Sequence, residues 1–160
     1  MEKTKFITIK DLQNRGKTTT IWLLLKELTN RKANVRYIFN INENKEIELP
    51  GEMPPQGFLY DVYVILEWNG KVIVIISRGD FQRYIAKDVS WALTQEPDYI
   101  ICSVQYNAND DKNKIWKIFD KAFLNTQYER VCFWSEYAEN AADALLVKQP
   151  TVEAIIKYMA

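Results

Sequence analysis

Gly16, Lys17 and Thr18 stand in a row near the start of the chain, and together they carry what is needed to hold an anion. A glycine lets the backbone approach a bound group with no side chain in the way. The lysine adds an ammonium and the threonine a hydroxyl. A helix beginning here would have free backbone N–H groups at its first turn, with the positive end of its dipole beside them. Asn14, Arg15 and Thr19 flank the triplet, and Arg78-Gly79-Asp80 offers a second cation and carboxylate further along.

Composition narrows the chemistry. There is no histidine in the 160 residues, which removes Ser-His-Asp and Cys-His nucleophiles and His-ligated metal sites. Carboxylates, Lys, Arg, hydroxyls and a bound metal remain, and phosphoryl transfer suits that inventory because it depends on positioning and electrostatics. Lys plus Arg and Asp plus Glu number 21 each, so no global charge invites nucleic acid or a membrane surface. Arg31, Lys32 and Arg36 make only a small basic cluster. Cys102 and Cys132 each sit in an apolar run and read as buried thiols, not as a disulfide or metal framework. No segment reads as a signal peptide and no apolar run approaches membrane-spanning length, so the expected location is cytoplasmic. A hydrophobic content of 48% predicts one folded domain over residues 1–160.

The elements that must position these residues follow from periodicity. Phe6, Ile7 and Ile9 predict a short buried strand before a polar loop over residues 10–15. Ile21, Leu24, Leu25 and Leu28 then share one helical face, widened by Trp22 and Leu23, and residues 30–34 supply a stop. A strand follows at 35–41, then a long polar connection over 42–57, read as a surface excursion. Two β-rich runs at 58–68 and 71–77 flank Asn69-Gly70, a strong hairpin signal. A helix at 81–95 leads into a strand at 99–104. Ile115, Ile118, Phe119, Ala122 and Phe123 mark another helix, and residues 130–134 the last strand. A helix over 135–148 and a separate one after Pro150 complete the chain. Alternating strands and helices predict an α/β fold: a mostly parallel sheet with helices on both faces and the hairpin adding an antiparallel edge.

Strand, loop, Gly16-Lys17-Thr18 and helix, in that order, resemble the Walker A segment of the P-loop nucleoside triphosphatases. The resemblance implies a P-loop NTPase-like three-layer sandwich and a nucleoside triphosphate, ATP or GTP, bound with Mg²⁺. It implies that Lys17 is the catalytic cation and Thr18 a Mg²⁺ ligand. Asn14, Arg15, Gly16 and Thr19 would complete the nucleotide-binding set. Asp80 would hold the metal's water shell, as a Walker B acid does, or else cap the helix that follows it. Arg78 reads equally as a phosphate or partner contact and as a solvent-exposed side chain. The chain departs from the family pattern at its first glycine, where Asp11 stands. Either Asp11 turns away and the phosphate nest works, or the fold survives as a non-catalytic interaction or regulatory module. The 5 Trp, 9 Tyr and 7 Phe would then suit a protein partner. Guanine specificity has no support, because residues 109–112 do not form the base-reading motif of GTP-binding relatives.

If the Asp11 carboxylate repels phosphate, Asp11→Gly raises affinity for Mg²⁺-ATP or Mg²⁺-GTP by about fivefold, the effect of removing one charge at partly screened range. Titration calorimetry reads it.

Overall fold

The computed structural model describes residues 4–11, 17–55, 59–78, 82–105, 128–134 and 141–160. In chain order the elements are β1 (Thr4–Asp11), α1 (Lys17–Asn30), β2 (Asn34–Asn40), β3 (Lys45–Glu46), β4 (Val62–Trp68), β5 (Lys71–Ile76), α2 (Gln82–Leu93), β6 (Tyr99–Gln105), β7 (Tyr128–Trp134) and α3 (Ala141–Met159). The strands form one seven-stranded sheet in the order β3-β2-β4-β5-β6-β1-β7.

This corrects the expectation of a mostly parallel, helix-flanked three-layer sandwich. β1 pairs in parallel with β6 and β7, and β5 with β6, but β4 is antiparallel to both β5 and β2, and β3 to β2. The sheet is therefore mixed. The cause is the path between α1 and β5. β2 does not return beside β1; it sits beyond β4, and the backbone bond from Ile41 N to Asp61 O (2.9 Å) closes the excursion between them into a hairpin-like unit. Apolar runs record burial and not direction, so the strand content was legible while the pairing was not. The β4–β5 hairpin was expected to add an edge strand, but β4 lies between β2 and β5, and β5, with its apolar run, lies centrally, between β4 and β6. Its turn is as predicted: Asn69 (φ 53°) and Gly70 (φ 73°) both take the left-handed conformation of a two-residue turn whose twist matches the strands.

Alternation along β1 divides the core. Ile7 and Ile9 belong to the cluster formed with Ile21, Trp22, Leu24, Leu25 and Leu28 of α1 and Val152, Ile155, Ile156 and Met159 of α3. Phe6 belongs to the other cluster, with Val74, Ile76, Ile100 and Cys102 of the sheet and Val89 and Ala92 of α2. Each fully buried leucine or isoleucine contributes about 1.5–3 kcal/mol of transfer free energy, which makes the α1–α3 side the larger reservoir.

Two helix ends differ from expectation. The stop after α1 is a left-handed Lys32 (φ 67°), with Ala33 N bonded to Leu28 O (2.9 Å) and Lys32 N to Thr29 O (3.0 Å). That is a Schellman closure built without its usual glycine. Pro150 does not separate two helices; it lies inside α3. Its missing N–H frees the Leu146 carbonyl, at a turn where Leu146 is 79% exposed and water can take that acceptor. The helix predicted on Ile115–Phe123 lies outside the described residues.

Lys32→Gly relieves the left-handed strain and raises unfolding free energy by about 1 kcal/mol. Leu25→Ala, at a site with 0% exposure, lowers it by about 2–5 kcal/mol. Urea denaturation measures both.

Candidate functional site

β1 and β5, the strands that precede the two predicted site segments, end at the same edge of the sheet. β1 ends at Asp11, in register with Gln105, the last residue of β6. From β1 the chain leaves through α1 toward β2, on the β5 side of the sheet. From β6 it continues to β7, on the opposite side of β1. Neighbouring parallel strands whose chains depart in opposite directions open a crevice beyond their carboxyl ends. α1 starts at Lys17, six residues after the end of β1, so its first amides, which have no acceptor within the helix, belong to this edge.

Of the predicted site residues, Lys17 opens α1, and Thr18 and Thr19 are partly buried in its first turn. Thr20 beside them is fully buried. Asn14, Arg15, Gly16 and Asp80 lie outside the described residues, as does the Lys17 side chain. The Walker B expectation needs one correction. β5, the strand that leads to Arg78 and Asp80, is not beside β1, because β6 lies between them. A residue leaving β5 therefore starts about 10 Å from β1, two strand spacings away.

At the carboxyl end of β5 the structure assembles polar groups that the sequence did not single out. Arg78 is not the solvent-exposed arginine considered above. Its Nη2 lies 3.1 Å from Asp88 Oδ1, with side chains 16% and 3% exposed. Tyr63 of β4 donates to the same carboxylate oxygen at 2.5 Å and accepts from Arg78 Nη2 at 2.6 Å. The guanidinium also lies over the Tyr63 ring, 5.7 Å from its centroid. Burial, then the hydrogen bond to Asp88 and its charge, push the Tyr63 phenol well above its ordinary pKa, with the Arg78 charge opposing. One residue earlier, Ser77 Oγ donates to Asp61 Oδ1 (2.9 Å) and accepts from Val62 N (2.8 Å). Ser103 Oγ of β6 donates to the Ser77 carbonyl. β4, β5, β6 and α2 are thereby bolted together at one point. The hint in the sequence was Asp88 amid the apolar residues of α2, but nothing there named its partner.

Cys102 is buried and Cys132 partly buried, both as free thiols. Among the described residues no group of three or more Cys, Asp and Glu gathers to hold a metal. Nor is any helix long and apolar enough to cross a membrane. No protein-family model, curated protein or solved structure matches the chain.

Asp88→Ala strands a buried guanidinium and costs about 3–5 kcal/mol, whereas Glu67→Ala, breaking the exposed pair with Arg36, costs less than about 1 kcal/mol. Tyr63 also predicts a pH dependence. Its folded pKa is raised, so above pH about 10 the unfolded chain loses this proton first and stability falls as pH rises. Tyr63→Phe removes part of that alkaline slope, read from thermal melts between pH 8 and pH 11.

Proposed function

We propose that this chain binds a nucleoside triphosphate with Mg²⁺ at the junction of β1 and α1, and acts as a slow NTPase or phosphotransferase. One observation carries the reading. β1, a strand paired in parallel on both sides, ends at Asp11, and α1, whose Ile21, Trp22, Leu24, Leu25 and Leu28 are buried, opens at Lys17 only six residues later, the strand-then-helix order that the Gly16-Lys17-Thr18 reading needs. The reading rests on this local strand–loop–helix unit and not on the arrangement of the whole sheet.

In it, the amides of Gly16 and the following residues cradle the phosphates. Lys17 stabilises the transferring phosphoryl group, Thr18 ligates Mg²⁺ and Thr19 contacts an inner phosphate. Asn14 and Arg15 line the loop. Asp80, reaching from the end of β5, acts on the metal through water and not as a direct ligand. No residue stands out to orient an attacking water, which is why turnover is set low. The second reading, a non-catalytic interaction or regulatory module, draws support from Asp11. It is still paired within β1, at the position where the family pattern has a glycine.

Titration of Mg²⁺-ATP and Mg²⁺-GTP against wild type and Lys17→Ala separates the two. Micromolar binding weakened about 100-fold by Lys17→Ala, the scale of losing charge-assisted bonds, supports the first. No saturation at millimolar nucleotide overturns it in favour of the second.

A further inference from the structure

β2 is the last long strand on its side of the sheet, and β3 covers little of it. β3 pairs only with Phe39 and Asn40, and one further bond, from Ile47 N to Ile38 O at 3.0 Å, ends the contact. Among the described residues no strand lies against the outer edge of residues 34–37. Roughly 13 Å of strand edge is thus left as a template for another strand. The register shift between Val35 and Tyr37 lies in the pairing with β4; it twists the strand there without filling that edge.

Beside this edge, where the chain leaves β2 after Ile47, a cavity of about 350 Å³ opens, within the size range of a ligand pocket. Its apolar lining is Ala33, Val35, Ile38, Ile47 and Leu49. Leu49 is 37% exposed, one of three large hydrophobic side chains so exposed among the described residues. Arg36, Glu46 and Glu48 supply the charged lining. Arg36 is committed to Glu67 of β4 at 2.9 Å, and Lys45 to Glu43 at 2.9 Å. Among the described residues neither Glu46 nor Glu48 has an ion-pair partner. The balance at the cavity is therefore negative. The two linings also divide by face. Val35, Ile38 and Ile47 belong to the α1 side of the sheet, whereas Glu46 is in register with Phe39, whose ring stacks on Tyr37 on the other side. Burial and then the Glu46 charge raise the Tyr37 phenol above its ordinary pKa, which agrees with that placement.

An open strand edge, an aliphatic cavity beside it and carboxylates without a counter-ion are what an extended basic peptide requires. We propose that the outer edge of β2 binds a segment of another protein in which aliphatic residues alternate with Lys or Arg, added to the sheet as an outer strand. The peptide backbone bonds the edge over residues 34–37. Successive side chains of a strand point to opposite faces, so an aliphatic side chain enters the cavity while its neighbour carries a cation to Glu46 and Glu48. A second copy of this chain is the poorer occupant. A two-fold contact through the same patch gathers the Glu46 and Glu48 carboxylates of both copies, with the nearby Arg36 and Lys45 already paired. Thr29 and Ala33 place the cavity at the closing turn of α1, not at its head, so the proposal stands apart from the nucleotide reading.

The probe is a short capped peptide alternating valine and lysine, with two controls: glutamate in place of lysine, and N-methyl groups on alternate backbone nitrogens. Calorimetry and amide NMR shifts of the full chain read binding. The lysine peptide is expected to saturate with a Kd of about 100 µM, with shifts centred on residues 33–38 and 45–49, while neither control saturates at millimolar concentration. Glu46→Gln combined with Glu48→Gln weakens binding about tenfold and flattens its salt dependence. Leu49→Ala weakens it about fivefold. These variants change exposed side chains, so their melting temperatures stay at the wild-type value. Lys17→Ala binds the peptide as wild type does, which separates this site from the nucleotide reading. No saturation by wild type at millimolar lysine peptide, equal affinity for the glutamate peptide, or shifts centred elsewhere overturns the proposal. Sedimentation of the free chain covers the other occupant: a dimer strengthened by Glu46→Gln with Glu48→Gln overturns the peptide in favour of a second copy.

Discussion

The backbone of β1 is paired along both edges, with β6 on one side and β7 on the other, and apolar side chains leave both of its faces. Every N–H and C=O of such a strand is taken up by its neighbours, and water is excluded above and below. The chain can only leave at the carboxyl end, and it reverses within five residues into α1. α1 is committed to the core by Ile21, Trp22, Leu24, Leu25 and Leu28, all fully buried. A helix anchored so completely has its first turn fixed at the sheet edge, where its leading amides have no acceptor within the helix. The placement of the candidate site is a consequence of how the core is packed.

The antiparallel half of the sheet answers a different constraint. β4 lies between β2 and β5, which point the same way, so the edge above these three strands gathers the start of β4 and the ends of β2 and β5. Polar residues there must find partners inside the fold, and they do: Asp61 with Ser77, Tyr63 and Arg78 with Asp88, Ser103 with the Ser77 carbonyl. Asp88 is almost wholly buried, and a carboxylate in that position is tolerable only because a guanidinium and a phenol both meet it. The network ties the end of β5 to α2 and β6, so the segment leading to Asp80 departs from a fixed point.

Lys32 and Lys148 show how context overrides residue type. Lys32 occupies a left-handed position usually given to glycine, because the geometry of the closing turn and the packing of Leu28 require the reversal there. Lys148 of α3, 1% exposed, occupies a core position usually given to an aliphatic residue. In each case local propensity loses to tertiary placement.

The strands β1, β2, β4, β5, β6 and β7, the helices α1 and α2, the Asn69-Gly70 turn and the apolar face of α1 were legible from residue order, because each depends on neighbours within a few positions along the chain; β3 and the continuity of α3 through Pro150 were not. The Gly16-Lys17-Thr18 reading used the same short-range order, and of it Lys17 and Thr18 fall in the first turn of α1. Strand order was not. Whether β2 returns beside β1 or beyond β4 depends on contacts between residues far apart in sequence, and an apolar run packs equally well in either direction. The same holds for the Arg78–Asp88–Tyr63 network and for Lys148, whose burial became visible only when helix, strand and sheet edge were brought together. Short-range periodicity determined what the pieces are; long-range packing alone decided which of them meet.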